Sequence, residues 1–322
     1  MQAITNNKDV SLPLAVWILG DDYDHINDPS YISVTTLMKP LRQIILDRRE
    51  KPQGIAPDVS DFIAASLGSS LHAAIEKAWT GQGYRKALRQ MGYPQKVIDA
   101  IKVNPEPETL TPNDIPVYLE NRVIKTINGW KVGGKYDLVM DGLLMDNKST
   151  GTYSWTSGSR DDDYCLQGSI YRYLNQDKIT EDVIRINFIF TDWQKFKAKQ
   201  SLDYPQNRLQ YKDITLMSVK ETENWIVRKL AMIDKYMNAP EEEIPECANE
   251  ELWMSEPVHK YYADPNKTAR STKNFTDLTE ANLFMASKGG KGIVITIEGK
   301  PNRCNYCNAF DLCSQKDKYS HD

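Results

Sequence analysis

Residues 116–149 read PVYLENRVIKTINGWKVGGKYDLVMDGLLMDNKS, and this stretch decides the fold. Asn128-Gly129 and Asp141-Gly142 are the dipeptides that best tolerate the positive φ angles of a two-residue hairpin turn. The segments they separate, 116–127, 130–140 and 143–149, carry the β-branched and aromatic residues of strands. Three consecutive antiparallel strands are therefore expected.

Upstream, residues 104–116 hold four prolines and read as a loop. Phe62, Ile63, Leu67, Leu71, Ala74, Ile75 and Ala78 recur at helical spacing and predict a helix over 61–79. Residues 30–50 read as a short strand and a helix, with Val34, Leu37, Leu41, Ile44 and Ile45 on one face and Arg48-Arg49 near the end. Downstream, 162–174 reads as a helix. The run VIRINFIFTD at 183–192 is a nearly continuous apolar strand, expected to be central and buried. A short strand at 214–218 and an amphipathic helix at 219–237 follow, then a polar loop from 241. Beyond Cys247 a strand at 268–275, a helix at 277–287 and a strand at 292–298 (GIVITIE) precede a cysteine cluster. The expected organisation is a core over 1–245 that includes the N-terminal helices, with a cysteine-containing module over 246–322 packed on it.

The chain has 322 residues, 40% of them hydrophobic and 26% charged, which suits a globular protein and excludes a low-complexity chain. It has no apolar run of membrane-spanning length, and residues 1–7 lack the apolar core of a signal peptide. A cytoplasmic location without membrane association is expected. The net charge of −4 disfavours a general nucleic-acid coat, which would be basic. It leaves room for an enzyme that needs only a local basic path.

Asp146 and Lys148 lie two apart on the third strand, so their side chains share one face. Asp137 lies on the preceding strand of the same hairpin. Two carboxylates and an ammonium can thus converge. Mg²⁺ or Mn²⁺ prefers one or two carboxylates completed by water and phosphate oxygens, and a lysine beside it can offset charge developing on a phosphate. An Asp-x-Lys triplet alone is weak evidence; a solvated strand face with an ordinary ion pair produces the same letters. A second such triplet, Glu298-Gly299-Lys300, has no acidic residue on a preceding hairpin strand and reads as a coincidence. Gln167 and Tyr171 are four apart on the next helix, hence on one face. His72 interrupts the apolar helix upstream. Glu120, on the first hairpin strand, reads as a surface carboxylate rather than a functional one.

Taken in order, His72, Asp137 (GGKYDLV), Asp146-Asn147-Lys148 (LLMDNKST) and Gln167 with Tyr171 (LQGSIYRY) resemble the RecB-like branch of the PD-(D/E)xK nuclease superfamily. That branch includes phage exonucleases, the AddB nuclease domain and CRISPR-associated exonucleases. The resemblance covers roughly residues 30 to 192. It implies an α/β fold in which a mixed central sheet is flanked by helices, as in restriction endonucleases. It also implies His72, Asp137 and Asp146 as ligands of Mg²⁺ or Mn²⁺, Lys148 as the catalytic lysine, and Gln167 and Tyr171 on the substrate side. Tyr136 stands where the family often has proline.

Cys304, Cys307 and Cys313 fall within ten residues, a metal-ligand spacing that needs a fourth thiolate. Cys247, at the start of the module, is the choice; Cys165 sits inside the core helix. Four thiolates suit zinc or an iron–sulfur cluster. The resemblance favours a structural [4Fe-4S] cluster, although relatives usually place one cysteine before the core and residues 33–49 here have none.

Lys195, Lys197 and Lys199 alternate with Phe196 after Trp193, and Lys260, Lys267, Arg270 and Lys273 accompany Tyr261 and Tyr262. Such mixtures suit single-stranded nucleic acid, but they equally describe lysines over a buried aromatic layer. The functional expectation is a metal-dependent DNA nuclease, foremost an exonuclease of phage type acting in recombination, replication or repair. DNA and a single-strand-binding or recombination protein would be its partners, in the host cytoplasm if a phage encodes it. The alternatives are an inactive nucleic-acid-binding scaffold of the same fold and an RNA-directed nuclease. No GxxxxGK[ST] loop is present, so helicase action would need another chain.

Overall fold

The computed structural model describes residues 4–20, 26–49, 56–81 and 83–319. Residues 1–3 of the polar N-terminus and Glu50, the expected end of a helix, lie outside these. The chain divides into two compact units, Met1–Lys39 with Ile55–Ala231, and Pro40–Gly54 with Met232–Asp322.

The first unit opens with α1 (Leu12–Leu19), β1 (Tyr31–Ser33) and α2 (Val34–Leu37). Residues 30–50 were expected to hold one helix. Pro40, which donates no backbone hydrogen bond, instead separates α2 from α3 (Leu41–Arg49), and α3 belongs to the second unit. The first unit continues with α4 (Ile63–Thr80), α5 (Gly83–Gln90), α6 (Gln95–Ala100), β2 (Ile101–Val103), β3 (Ile115–Ile127), β4 (Trp130–Met140) and β5 (Leu143–Thr150). There follow α7 (Tyr153–Ser157), α8 (Asp161–Leu174), β6 (Val183–Phe190), α9 (Lys195–Gln200), β7 (Leu209–Thr215) and α10 (Val219–Tyr236), the last of which contains the unit boundary. Asp58 starts the approach to α4 in a reciprocal cap with Asp61.

Seven strands form a mixed sheet in the order β2-β3-β4-β5-β6-β7, with β1 beside β4. This is the expected mixed sheet flanked by helices. Both hairpin turns have the expected geometry: φ is 49° and 85° at Asn128 and Gly129, and 48° and 83° at Asp141 and Gly142. β6 is interior, between parallel β5 and antiparallel β7. Its burial alternates along the strand, with Ile184, Ile186, Phe188 and Phe190 inward, rather than being continuous.

β4 has two different neighbours on one side. Its first half pairs in parallel with β1, at residues 131–133, while its last three residues pair with β5. Residues 134–137 therefore lie where the sheet forks. α8 packs closely on the β6 and β7 end of the sheet: Gly168 has no side chain where a Cβ would lie 2.7 Å from Leu216 and 3.0 Å from Ile184. The core under the fork's far end joins Ile101, Val117, Leu119 and Leu138 with Trp79 of α4 and Tyr84 and Leu88 of α5.

The second unit combines α3 with a three-stranded sheet and the cysteine-rich tail. Here β8 (Val258–Tyr262) lies between β9 (Lys273–Phe275) and β10 (Ile293–Ile297), and α11 (Leu278–Ser287) is capped by Asp277 accepting from Glu280. β8 was not anticipated; the strand expected at 268–275 shrinks to β9. Arg42 and Arg49 of α3 tie the unit together by donating to backbone carbonyls, Arg42 to Glu241 and Ile244, Arg49 to Tyr236, Met237 and Ala239. Among the described residues no helix is long and apolar enough to cross a membrane.

Candidate metal centre

Hairpin register places the acids. The Asn128-Gly129 turn pairs Ile127 with Trp130, and counting back along both strands sets Leu119 opposite Leu138 and Asn121 opposite Tyr136. By this count Glu120 falls level with Asp137, at the step of the ladder where no pair forms. Like charges facing each other across strands are unfavourable, and Glu120 adds a left-handed φ of 48° in mid-strand. Both features are costs that a cation between the two carboxylates would offset.

His72 of α4 completes the group. Its Nδ1 lies 3.2 Å from Asp137 Oδ1 and 3.9 Å from Glu120 Oε1. Among the described residues this trio is the one set of three histidine, cysteine or carboxylate side chains whose ligand atoms all lie within 4.8 Å of one another, and it is half-buried. His72 Nε2 donates to the carbonyl of Asn147 at 3.1 Å. That bond fixes the proton on Nε2 and turns the Nδ1 lone pair toward the two carboxylates, as metal-ligating imidazoles require. The hydrogen bond to Asp137 holds the imidazole pKa above its ordinary value against the opposing effect of burial. One nitrogen and two carboxylate oxygens facing a common point fit a divalent ion such as Mg²⁺ or Mn²⁺.

Asp146 and Lys148 stand beside this trio. At the fork Asp137 Oδ2 accepts from Asn147 N at 2.8 Å, so the carboxylate takes the place of a backbone partner where β4 and β5 separate. Asp146 is 4% exposed, and Lys148 Nζ meets its Oδ2 at 2.6 Å on the shared strand face. Burial pushes the Asp146 carboxyl well above the usual carboxylate range, against the pull of Lys148. Burial also opposes the Lys148 ammonium, but Asp146 outweighs it and keeps the lysine protonated. Gln167 Nε2 lies 3.4 Å from Asp146 Oδ1. Glu120 also takes an ion pair from Lys135 at 2.7 Å.

Of the residues singled out in the sequence, His72 and Asp137 meet in the trio. Asp146, Lys148 and Gln167 meet one strand away. Tyr171 is buried, and its hydroxyl donates to the carbonyl of Lys135 at 3.0 Å, holding the backbone of β4 two residues before Asp137. Gly134 makes that approach possible, since a Cβ there would lie 2.8 Å from the Tyr171 ring. Glu120 is the member that the sequence reading set aside. Its signal was available: the turn fixes the register, and the register fixes its partner.

No protein-family model matches this chain. No curated protein matches it either. Among solved structures it is similar to SSO0001, with 16% identity and a TM-score of 0.38 over 67% of this chain and 81% of that one. It is also similar to a proposed exonuclease from Eubacterium rectale, with 13% identity and a TM-score of 0.32 over 70% of this chain and 89% of that one.

The second unit holds a different donor set. Cys247, Cys304, Cys307 and Cys313 all line one cavity, with Leu46, Leu252 and Phe310 among its apolar walls. Gln315 joins the two chain segments, donating to the carbonyl of Cys247 and accepting from its N–H. Arg42 Nε donates to Cys313 Sγ at 3.2 Å. Burial pushes the Cys247 thiol up to about 12 and raises those of Cys304 and Cys307. Cys165 lies in the first unit, with its Sγ against the carbonyl of Thr215. A zinc tetrahedron with Zn–S bonds of about 2.3 Å would bring the sulfurs to about 3.8 Å from one another. Among the described residues no three cysteines are within 4.8 Å of one another.

The two basic–aromatic segments differ. Tyr261 and Tyr262 are buried in the small sheet, which removes them as stacking surfaces. Phe196 is exposed on α9.

Proposed function

We propose that this protein is a metal-dependent nuclease of the RecB-like PD-(D/E)xK type, hydrolysing phosphodiester bonds of DNA, with exonuclease action in recombination, replication or repair as the leading role. The observation that carries this reading is the meeting of His72, Glu120 and Asp137 beside an Asp146–Lys148 pair on the next strand.

His72, Glu120 and Asp137 would hold the divalent ion, with Asp146 adjacent. A bound Mg²⁺ or Mn²⁺ supplies Lewis acidity toward a phosphodiester and lowers the pKa of a coordinated water. Lys148 presents a fixed positive charge on the same strand face as Asp146, where it can offset negative charge developing on the phosphate. Gln167 steadies the Asp146 carboxylate, Asn147 sets the His72 tautomer, and Tyr171 fixes the strand that carries Asp137.

The four-cysteine cavity supports a structural metal centre in the second unit. Four thiolates suit a [4Fe-4S] cluster or a single zinc ion, and the family resemblance leans to the cluster. A visible absorption spectrum of anaerobically purified protein distinguishes them.

The decisive experiment incubates purified protein with labelled linear and circular DNA, and with RNA, in Mg²⁺ or Mn²⁺ and in EDTA. Metal-dependent digestion of DNA that Lys148→Ala abolishes is the expected result. Binding without cleavage under every metal condition would point instead to a scaffold, and digestion confined to RNA would reassign the substrate.

A further inference from the structure

α9 turns an unusual face outward. Ala198 is buried against the first unit, and Phe196, about half a turn round the helix, is 70% exposed. Lys195, Lys197 and Lys199 are all exposed and flank that ring on both sides. A phenylalanine on the outward face of a short helix contributes nothing to the core; alone it would be ordinary, but flanked by three lysines it suits a ligand with a flat apolar face. The lysines require that ligand to be anionic.

A second exposed ring lies next door. Parallel β5 and β6 end side by side, with Lys148 opposite Phe188 and Thr150 opposite Phe190. The segments that leave them are tied together: Thr152 N donates to Asp192 Oδ1 at 2.7 Å, and Thr191 N to the carbonyl of Thr150 at 2.9 Å. Trp155 packs edge-on against Phe188 and Phe190, which turns Tyr153, two residues earlier on α7, outward to 75% exposure. Tyr153 follows Lys148 by five residues, and Lys195 follows Asp192 by three. Both rings thus follow closely on the tied ends of β5 and β6, the strand β5 also carrying Asp146 and Lys148.

We propose that α7 and α9 form a track for a single-stranded polynucleotide, whose bases stack on Tyr153 and Phe196 and whose phosphates meet Lys195, Lys197 and Lys199. Duplex bases are already stacked on one another and offer no free faces to these rings, whereas every unpaired base does. Exposed Asp203 lies near the far end of α9 and sets a limit to the positive stretch. The inference rests on the nuclease reading for its direction, toward the metal centre, but the surface itself is separately testable.

The test measures fluorescence anisotropy of labelled oligothymidylate, oligouridylate and blunt duplex DNA with the full chain in EDTA. Single strands of either sugar should bind more tightly than duplex. Phe196→Ala and Tyr153→Ala should each weaken oligothymidylate binding about tenfold. Replacing Lys195, Lys197 and Lys199 together by glutamine should lower the salt slope of log affinity by about 2, at roughly 0.7 per phosphate contact on a single strand. Hydrolysis of the small diester bis(p-nitrophenyl) phosphate in Mn²⁺ should be unaltered in all these variants. Unchanged oligothymidylate affinity, or tighter binding to duplex that ignores Phe196→Ala, would overturn the track, as would loss of small-diester turnover in Phe196→Ala. A parent protein that binds single strands through these residues yet cleaves no diester would leave the track standing and remove the nuclease reading instead.

Discussion

Glu120 shows how much a single residue's meaning depends on its partner. Alone it is a carboxylate on a strand; level with Asp137 and beside His72 it is one of three donors. Its replacement separates ligation from mere charge. Glu120→Gln keeps shape and can still accept from Lys135, but it removes the anion. Mn²⁺ affinity, followed by calorimetric titration, should fall by about tenfold or more, while the urea midpoint changes little. Unchanged affinity would return Glu120 to the ordinary strand face. Lys148→Ala acts differently, because Lys148 forms an ion pair with Asp146 and holds no metal. DNA cleavage should drop by about a hundredfold or more with Mn²⁺ affinity preserved or raised, since the ammonium no longer competes for the carboxylate. Parallel loss of both would mean that Lys148 only props Asp146.

At the scale of elements, the hairpins were the most legible part of the sequence. Asn128-Gly129 and Asp141-Gly142 carry their turn geometry in two residues each, so β3, β4 and β5 followed directly, while the meeting of Asp137 with Glu120 was overlooked. The fork between β4 and β5 was not legible. It depends on β1, about a hundred residues earlier, taking over the edge of β4, and no local pattern reports a partner that remote. The same limit hid β8, whose alternation is short, and the break at Pro40 shows local chemistry overriding a continuous apolar pattern. The resemblance put Tyr171 on the substrate side; helical spacing gave only its face and not that its hydroxyl meets the Lys135 carbonyl. Gly134 tests the contact it does make. In Gly134→Ala a Cβ meets the Tyr171 ring at 2.8 Å and Val34 at 3.0 Å. The variant should lose about 2 kcal/mol in urea unfolding, as overpacked cores do. Gly129→Ala, with open space around its Cβ and only a φ of 85° to strain, should lose about 1 kcal/mol. Equal losses would show that β4 relaxes away from α8.

For the whole molecule, the two donor sets answer to different chemistry. The first unit offers an imidazole and carboxylates to a hard or borderline ion, and the second offers thiols and apolar walls to a soft one. The motifs made the soft set and two members of the hard one visible, while Glu120 stood outside any motif. That the second unit recruits α3 from the other end of the chain was not visible, because it rests on Arg42 and Arg49 reaching carbonyls about 190 to 200 residues away. The division predicts that metal contents vary independently. Cys247→Ser, Cys304→Ser, Cys307→Ser and Cys313→Ser should each lower iron or zinc per chain, measured by elemental analysis of anaerobically purified protein, and should lower the thermal midpoint, since metal binding at such a site is folding free energy. Cys165→Ser should do neither, its sulfur lying against Thr215 in the first unit. Asp137→Asn should abolish Mn²⁺ binding and leave the soft metal in place. A chain whose soft-metal content survives loss of Cys247 would show that only the Cys304, Cys307 and Cys313 cluster engages the ion, with a donor other than Cys247 closing the site.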